Sequence, residues 1–72
     1  MVITMNVMKF ESLDTKEIVL VEFNHERLIV SSKLSDKIIR KKYTVNDFKT
    51  YHEWLNFLDD KIGVFIEDYN LL

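Results

Sequence analysis

Along Val2–Phe10 the side chains of Ile3, Met5 and Val7 alternate with Thr4, Asn6 and Met8, the two-residue period of a strand. The polar stretch Glu11-Ser12-Leu13-Asp14-Thr15-Lys16 then predicts a reversal. Two more strands follow at Glu17–Phe23 and Arg27–Ser32, both rich in β-branched and aromatic residues. The three residues between them, Asn24-His25-Glu26, suit an antiparallel hairpin, because Asn tolerates left-handed backbone geometry. These three strands form a meander. In the second, Val19, Val21 and Phe23 share one face and Ile18 and Leu20 the other; in the third, Leu28 and Val30 oppose Ile29. Both faces of the sheet are therefore partly apolar. One helix covers only one of them, so the second face points to a partner or to a second copy of the chain.

The segment Lys33–Tyr43 fits a fourth strand or a short helix capped by Ser35. Alternation of Ile39, Lys41, Tyr43 and Val45 against Ile38, Arg40 and Lys42 favours the strand. Beyond it, Thr44-Val45-Asn46-Asp47 offers several N-cap residues, and Phe48, Tyr51, Leu55, Leu58 and Ile62 recur at helical spacing. This predicts a helix over Val45–Lys61, ended by Gly63, with Val64-Phe65-Ile66 as a short last strand. The expected fold is α+β: a small antiparallel sheet of three to five strands, meander first, with one amphipathic helix packed on one face. At 72 residues it is a single domain spanning 1–72.

Composition sharpens this picture at one point. The apolar residues are all bulky: three Met, seven Val, seven Ile, eight Leu, five Phe, three Tyr and one Trp, with no Ala, Cys or Pro and only Gly63 as glycine. So small a domain buries only about 60% of its unfolded surface, and some of that bulk is expected outside, where self-association or a protein partner covers it. No cysteine is present for a disulfide or a thiolate metal site, which is compatible with a cytoplasmic location. The apolar N-terminal stretch lacks a basic leader and is broken by Thr4, Asn6 and Lys9, so neither a signal peptide nor a membrane span is expected. Residues with AT-rich codons (Phe, Tyr, Met, Ile, Asn, Lys) total 31 against three for Gly, Ala, Arg and Pro. That ratio points to an AT-rich genome, such as those of low-GC bacteria, their phages and mobile elements.

Candidate chemistry is sparse. His25 falls in the predicted hairpin loop and His52 in the predicted helix, where the positions one turn away are Phe48, Lys49, Leu55 and Asn56, none of them a useful second metal ligand. Ser31, Ser32 and Ser35 sit in no nucleophile motif, and one glycine cannot build a phosphate loop. Asp59-Asp60 and Glu67-Asp68 are adjacent pairs, and neighbours on a helix diverge by about 100° rather than converging on one substrate. A chain of this length also has little volume for a pocket of about 300 Å³ or more. No cofactor, metal or catalytic residue is expected, and the chain reads as a non-enzyme.

Charge is polarised. Residues 1–43 carry eight Lys/Arg and six Asp/Glu, a net +2, and residues 44–72 carry two and six, a net −4, giving −2 in all. The basic cluster of Lys33, Lys37, Arg40, Lys41 and Lys42, beside Tyr43, could meet nucleic-acid phosphates and stack a base. Lysines of a sheet edge that discourage aggregation explain it equally in chemistry, and better given the acidic whole. On the helix, Trp54 and Phe57 fall beside the main apolar stripe and widen it. Trp54 is then either an interface anchor or the residue that closes the core. The first reading is a non-enzymatic protein-binding module, an inhibitor or regulator of a host or defence protein carried by a phage or mobile element. It would be homodimeric in one version and bind through Tyr51, Trp54, Phe57, Asp59 and Asp60. The alternative is a small nucleic-acid-binding regulator using Lys37, Arg40, Lys41, Lys42 and Tyr43.

Overall fold

The computed structural model describes residues 5–72. Five strands form one antiparallel sheet: β1 (Asn6–Ser12), β2 (Ile18–Phe23), β3 (Arg27–Leu34), β4 (Lys37–Thr44) and β5 (Tyr69–Leu71), in the spatial order β4-β3-β2-β1-β5. One helix, α1 (Tyr51–Asp68), lies across one face. The α+β class, the meander and the single helix are those the sequence predicts. The first strand was expected over Val2–Phe10; it runs from Asn6 to Ser12, and Val2–Thr4 lie outside the described residues.

Register follows the hydrophobic alternation. Phe10 stands opposite Val19, and Met8 opposite Val21, which in turn faces Val30. Phe23 faces Leu28, and Leu28 faces Tyr43. These residues line the helix side of the sheet. A slip of one position would turn all of them to the other face, so burial of this side fixes the pairing. Trp54 enters the same layer from α1, and with Phe10, Val19, Val21 and Leu28 it forms the fully buried core, each residue at most 1% exposed. Burying such a side chain stabilises the fold by about 1.5–3 kcal/mol.

The turns rest on local polar chemistry. Asn24 closes the β2–β3 loop by accepting hydrogen bonds through Oδ1 from the N–H groups of Glu26 (2.8 Å) and Arg27 (2.9 Å), an Asx turn, and its backbone is not left-handed. Left-handed geometry falls instead on Lys16 (φ 63°) and Ser35 (φ 55°). Ser35 and Asp36 make the two-residue loop joining β3 to β4, so Ser35 reverses the chain and caps no helix.

The helix departs from its expected bounds at both ends. Thr44 and Asp47 do make a helical start, the Thr44 N–H donating to the Asp47 carboxylate at 3.0 Å, but it stops after one 3₁₀ turn, Val45–Asp47. Phe48 then adopts extended geometry (φ −118°, ψ 148°), and its ring stands 5.6 Å from that of Trp54 and 4.9 Å from that of Phe57. The α-helix proper begins after Thr50, whose Oγ1 accepts from the N–H of Glu53 at 3.1 Å, the first half of a Thr-x-x-Glu capping signature. At the other end Gly63 does not terminate anything. It lies inside α1, which continues through Val64-Phe65-Ile66 because Phe65 stacks on Phe10 at 5.7 Å. The last strand is therefore Tyr69–Leu71, paired with β1 through Phe10–Ser12.

The phase of the helix is rotated as well. Trp54, Phe57, Leu58, Ile62 and Phe65 face the sheet, whereas Tyr51 and Leu55, expected inward, are exposed at 49% and 40%. On the uncovered face of the sheet Ile29 is buried (7% exposed), Ile18 and Leu20 are half-buried, and Val7 and Ile38 are exposed. Charged residues such as Lys9, Glu22 and Lys42 alternate with them. The aliphatic stems of such side chains shield apolar neighbours.

Candidate functional site

Among the described residues β4 is an edge strand, paired on one side only, and its residues Lys37–Lys42 are all exposed. An unpaired edge of this length presents a row of backbone donors and acceptors, a template for one more strand. Pairing with β3 splits its side chains. Tyr43 faces the helix side, where its ring meets Phe57 at 5.0 Å, so Lys37, Ile39 and Lys41 share that side; Ile38, Arg40 and Lys42 take the other.

Beside β4 on the helix side lies a cleft of about 290 Å³. Its floor comes from Val19, Val30, Ser32 and Glu17, and β4 contributes Ile39, Lys41 and Tyr43 as one wall. Lys61, Phe65 and Tyr69 make the opposite wall. The Lys61 ammonium sits 5.7 Å from the centre of the Phe57 ring, a cation–π distance. At the floor the Glu17 carboxylate accepts from the Ser32 hydroxyl at 2.6 Å and from the Tyr69 hydroxyl at 2.9 Å. Its two oxygens are thus held by hydroxyl groups rather than by the lysines. The hydrogen bond to Glu17 is the main reason the Tyr69 phenol is pushed above its ordinary value of 10.0; burial and the negative charges of Glu17, Asp68 and Asp14 add to it.

The volume is at the small end for ligand pockets, which run to roughly 300–1,000 Å³. It suits one or two side chains. The Ser32 hydroxyl and Glu17 carboxylate are bonded to each other on its floor, with the second Glu17 oxygen taken by Tyr69, and among the described residues no three His, Cys, Asp or Glu converge as metal ligands.

The residues singled out from the sequence are dispersed. Trp54 is fully buried, its Nε1–H donating to the His25 carbonyl at 3.0 Å. Of its two possible roles the core one is what the structure builds, and no partner reaches it without opening the core. Tyr51 lies at the helix N-terminus, its hydroxyl 3.4 Å from His25 Nδ1. Phe57 is half-buried between Tyr43 and Phe48. Asp59 and Asp60 are exposed on different flanks of α1, about 100° apart. In the basic set, Lys37, Arg40, Lys41 and Lys42 are exposed on β4, but alternation parts them between two faces, and Tyr43 is half-buried against Phe57 rather than open as a stacking platform. Glu17, Ser32, Lys61 and Tyr69 were not foreseen as a group. They are up to 52 positions apart in sequence, and only the β2–β3 register, with β5 returning beside β1, brings them together.

No helix among the described residues is long and apolar enough to cross a membrane. Compared with protein-family models, with curated proteins and with solved structures, the chain matches none.

Proposed function

We propose that this chain is a non-enzymatic protein-binding module that receives an extended segment of another protein along β4, and so inhibits or regulates that protein. The observation that carries the reading is the edge itself: six consecutive exposed residues, Lys37–Lys42, on an outer strand beside a cleft the helix leaves open. Adding a strand to such an edge supplies main-chain hydrogen bonds, and a neighbouring pocket for alternate side chains supplies selectivity. The bias toward AT-rich codons supports a phage or mobile-element origin, with a host or defence protein in the cytoplasm as the target.

Co-purification from a low-GC bacterial lysate, followed by hydrogen exchange on the recovered complex, tests this. Slowed exchange of the amides of residues 37–42 is the expected result. Protection confined to the outward face of α1 sinks the reading, and loss of the association on nuclease treatment transfers the site to nucleic acid.

A further inference from the structure

We infer that the segment docking on β4 is an acidic extended strand of a different protein. The inference rests on the β4 docking proposed above and adds the chemistry of the occupant. Four of the six exposed β4 residues are Lys37, Arg40, Lys41 and Lys42, and the other two are Ile38 and Ile39. An incoming strand sets one residue directly opposite each of these, and cross-strand pairs of opposite charge are favourable while like charges oppose pairing.

Those pairing rules disfavour an antiparallel pair of β4 edges from two copies. Number two antiparallel β4 strands by the sum of the paired positions. Every register that pairs five or more residues of each strand has a sum between 78 and 84. Each of these places Lys or Arg opposite Lys or Arg: Lys37 with Lys41 at 78, Lys37 with Lys42 at 79, and Arg40 with itself at 80. At 81 it is Arg40 with Lys41, at 82 Lys41 with itself, at 83 Lys41 with Lys42, and at 84 Lys42 with itself. Two β4 edges so paired repel each other, whereas the edge accepts its electrostatic complement.

Nucleic acid is the weaker fit for a related reason. A backbone groove needs its cations on one surface, whereas β4 sends Lys37 and Lys41 to one face and Arg40 and Lys42 to the other. A strand lying in the plane of the sheet reaches both sets with its own alternating side chains. The complement, read antiparallel from Tyr43 to Lys37, is apolar-acidic-acidic-acidic-apolar-apolar-acidic. The middle one of its three consecutive acidic positions is the most demanding. A carboxylate opposite Lys41 points to the helix side, at the mouth of the cleft whose walls include both Lys41 and Lys61, while Glu17, the carboxylate on the cleft floor, is already engaged by two hydroxyls.

The probe is a blocked, dye-labelled peptide Val-Glu-Glu-Glu-Val-Val-Glu flanked by Thr, titrated against the intact chain at about 50 mM salt, where screening is weak. Its Gln counterpart is the control. Four charge pairs should make the acidic peptide bind at least about tenfold more tightly than the Gln peptide, with protection of the amides of residues 37–42. Arg40→Glu and Lys41→Glu, both at exposed positions, should each weaken it while circular dichroism stays unchanged. N-methylation of alternate peptide amides should remove binding, as strand addition requires. Equal affinity of the acidic and Gln peptides, no binding by either, tighter binding of a single-stranded oligonucleotide, or a dimer by light scattering with protected β4 amides would each overturn the inference. If the captured partner protects β4 and the peptides fail, the acidic occupant is wrong and the docking edge stands. If the partner protects another surface, the docking edge falls too.

Discussion

Where α1 passes over the end of β4, Tyr43 and Phe57 meet at 5.0 Å, with Phe48 and Trp54 packed behind them. One helical turn further on the same two elements hold a cleft, with Lys61 on one wall and Lys41 on the other. The helix runs obliquely across the sheet: Phe57 packs on Tyr43 of β4, whereas Phe65, two turns on, stacks on Phe10 of β1, and the chain then returns as β5 beside β1. The helix and β4 therefore diverge. Side-chain chemistry matches that divergence, since two aromatic rings gain from edge contact and dispersion as they close, whereas two ammonium groups repel and stay hydrated. The filled end stabilises the domain, and the open end is available for recognition.

The largest expected effect lies at the filled end. Trp54→Ala should lower the unfolding free energy by about 3–5 kcal/mol, from lost transfer energy and the cavity left behind, and leave the His25 carbonyl without its donor. Against a total near 5–15 kcal/mol this is a large fraction of the stability, and at the low end of that range it leaves much of the population unfolded. Ile39→Ala at the open end, half exposed, should change stability far less. Urea midpoints of the two variants give the comparison; equal losses would mean that the cleft is packed in solution and that the contrast drawn above is false.

That contrast was only half legible in the sequence. Period-two alternation located β2 and β3 to within a residue or two, set β4 four residues early at its start (Lys33 against Lys37), and put Val19, Val21 and Phe23 on one face of β2 and Leu28 and Val30 on one face of β3, because a single buried side leaves a strong imprint on each strand. The helix phase was misplaced because Phe48 extends the apolar spacing upstream of the true N-cap, Thr50, and Tyr51 carries it on as the first helical residue, while the Thr50-x-x-Glu53 signature was overshadowed by Thr44-x-x-Asp47. Gly63 misled in the same way, since local propensity favours stopping there and tertiary contact of Phe65 with Phe10 carries the helix on. The cleft had no sequence signal: Glu17, Ser32 and Tyr69 meet only through sheet order.

Gly63 yields the next prediction in size. It has helical geometry, and a Cβ there meets nothing within 4 Å. Gly63→Ala should therefore stabilise the domain by about 1 kcal/mol through helix propensity alone, raising the melting temperature by roughly 4–8 °C for a domain of this size. A fall instead would show that the helix needs glycine's freedom beside the open cleft, as a terminator or hinge would.

The smallest effect is a pH dependence seated on the cleft floor. Tyr69 donates its phenolic proton to the Glu17 carboxylate, and that bond, with partial burial and the charges of Glu17, Asp68 and Asp14, raises its pKa above 10.0 in the folded chain. In the unfolded chain the phenol ionises near its ordinary value of about 10. Because the folded pKa is the higher one, the unfolded state loses its proton first as pH rises. The stabilisation is therefore complete below about pH 10 and is lost as pH climbs from there through the raised folded value. Tyr69→Phe removes the titrating group together with the hydrogen bond. The difference in urea midpoint between the parent chain and this variant should be constant at about pH 8 to 9 and shrink at about pH 10 to 11, in the window set by the unfolded phenol. Parallel pH profiles for the two would show that the Glu17–Tyr69 bond does not persist in solution. Glu17 would then be held by Ser32 alone, and its free oxygen would compete with the acidic strand for the lysines of the cleft.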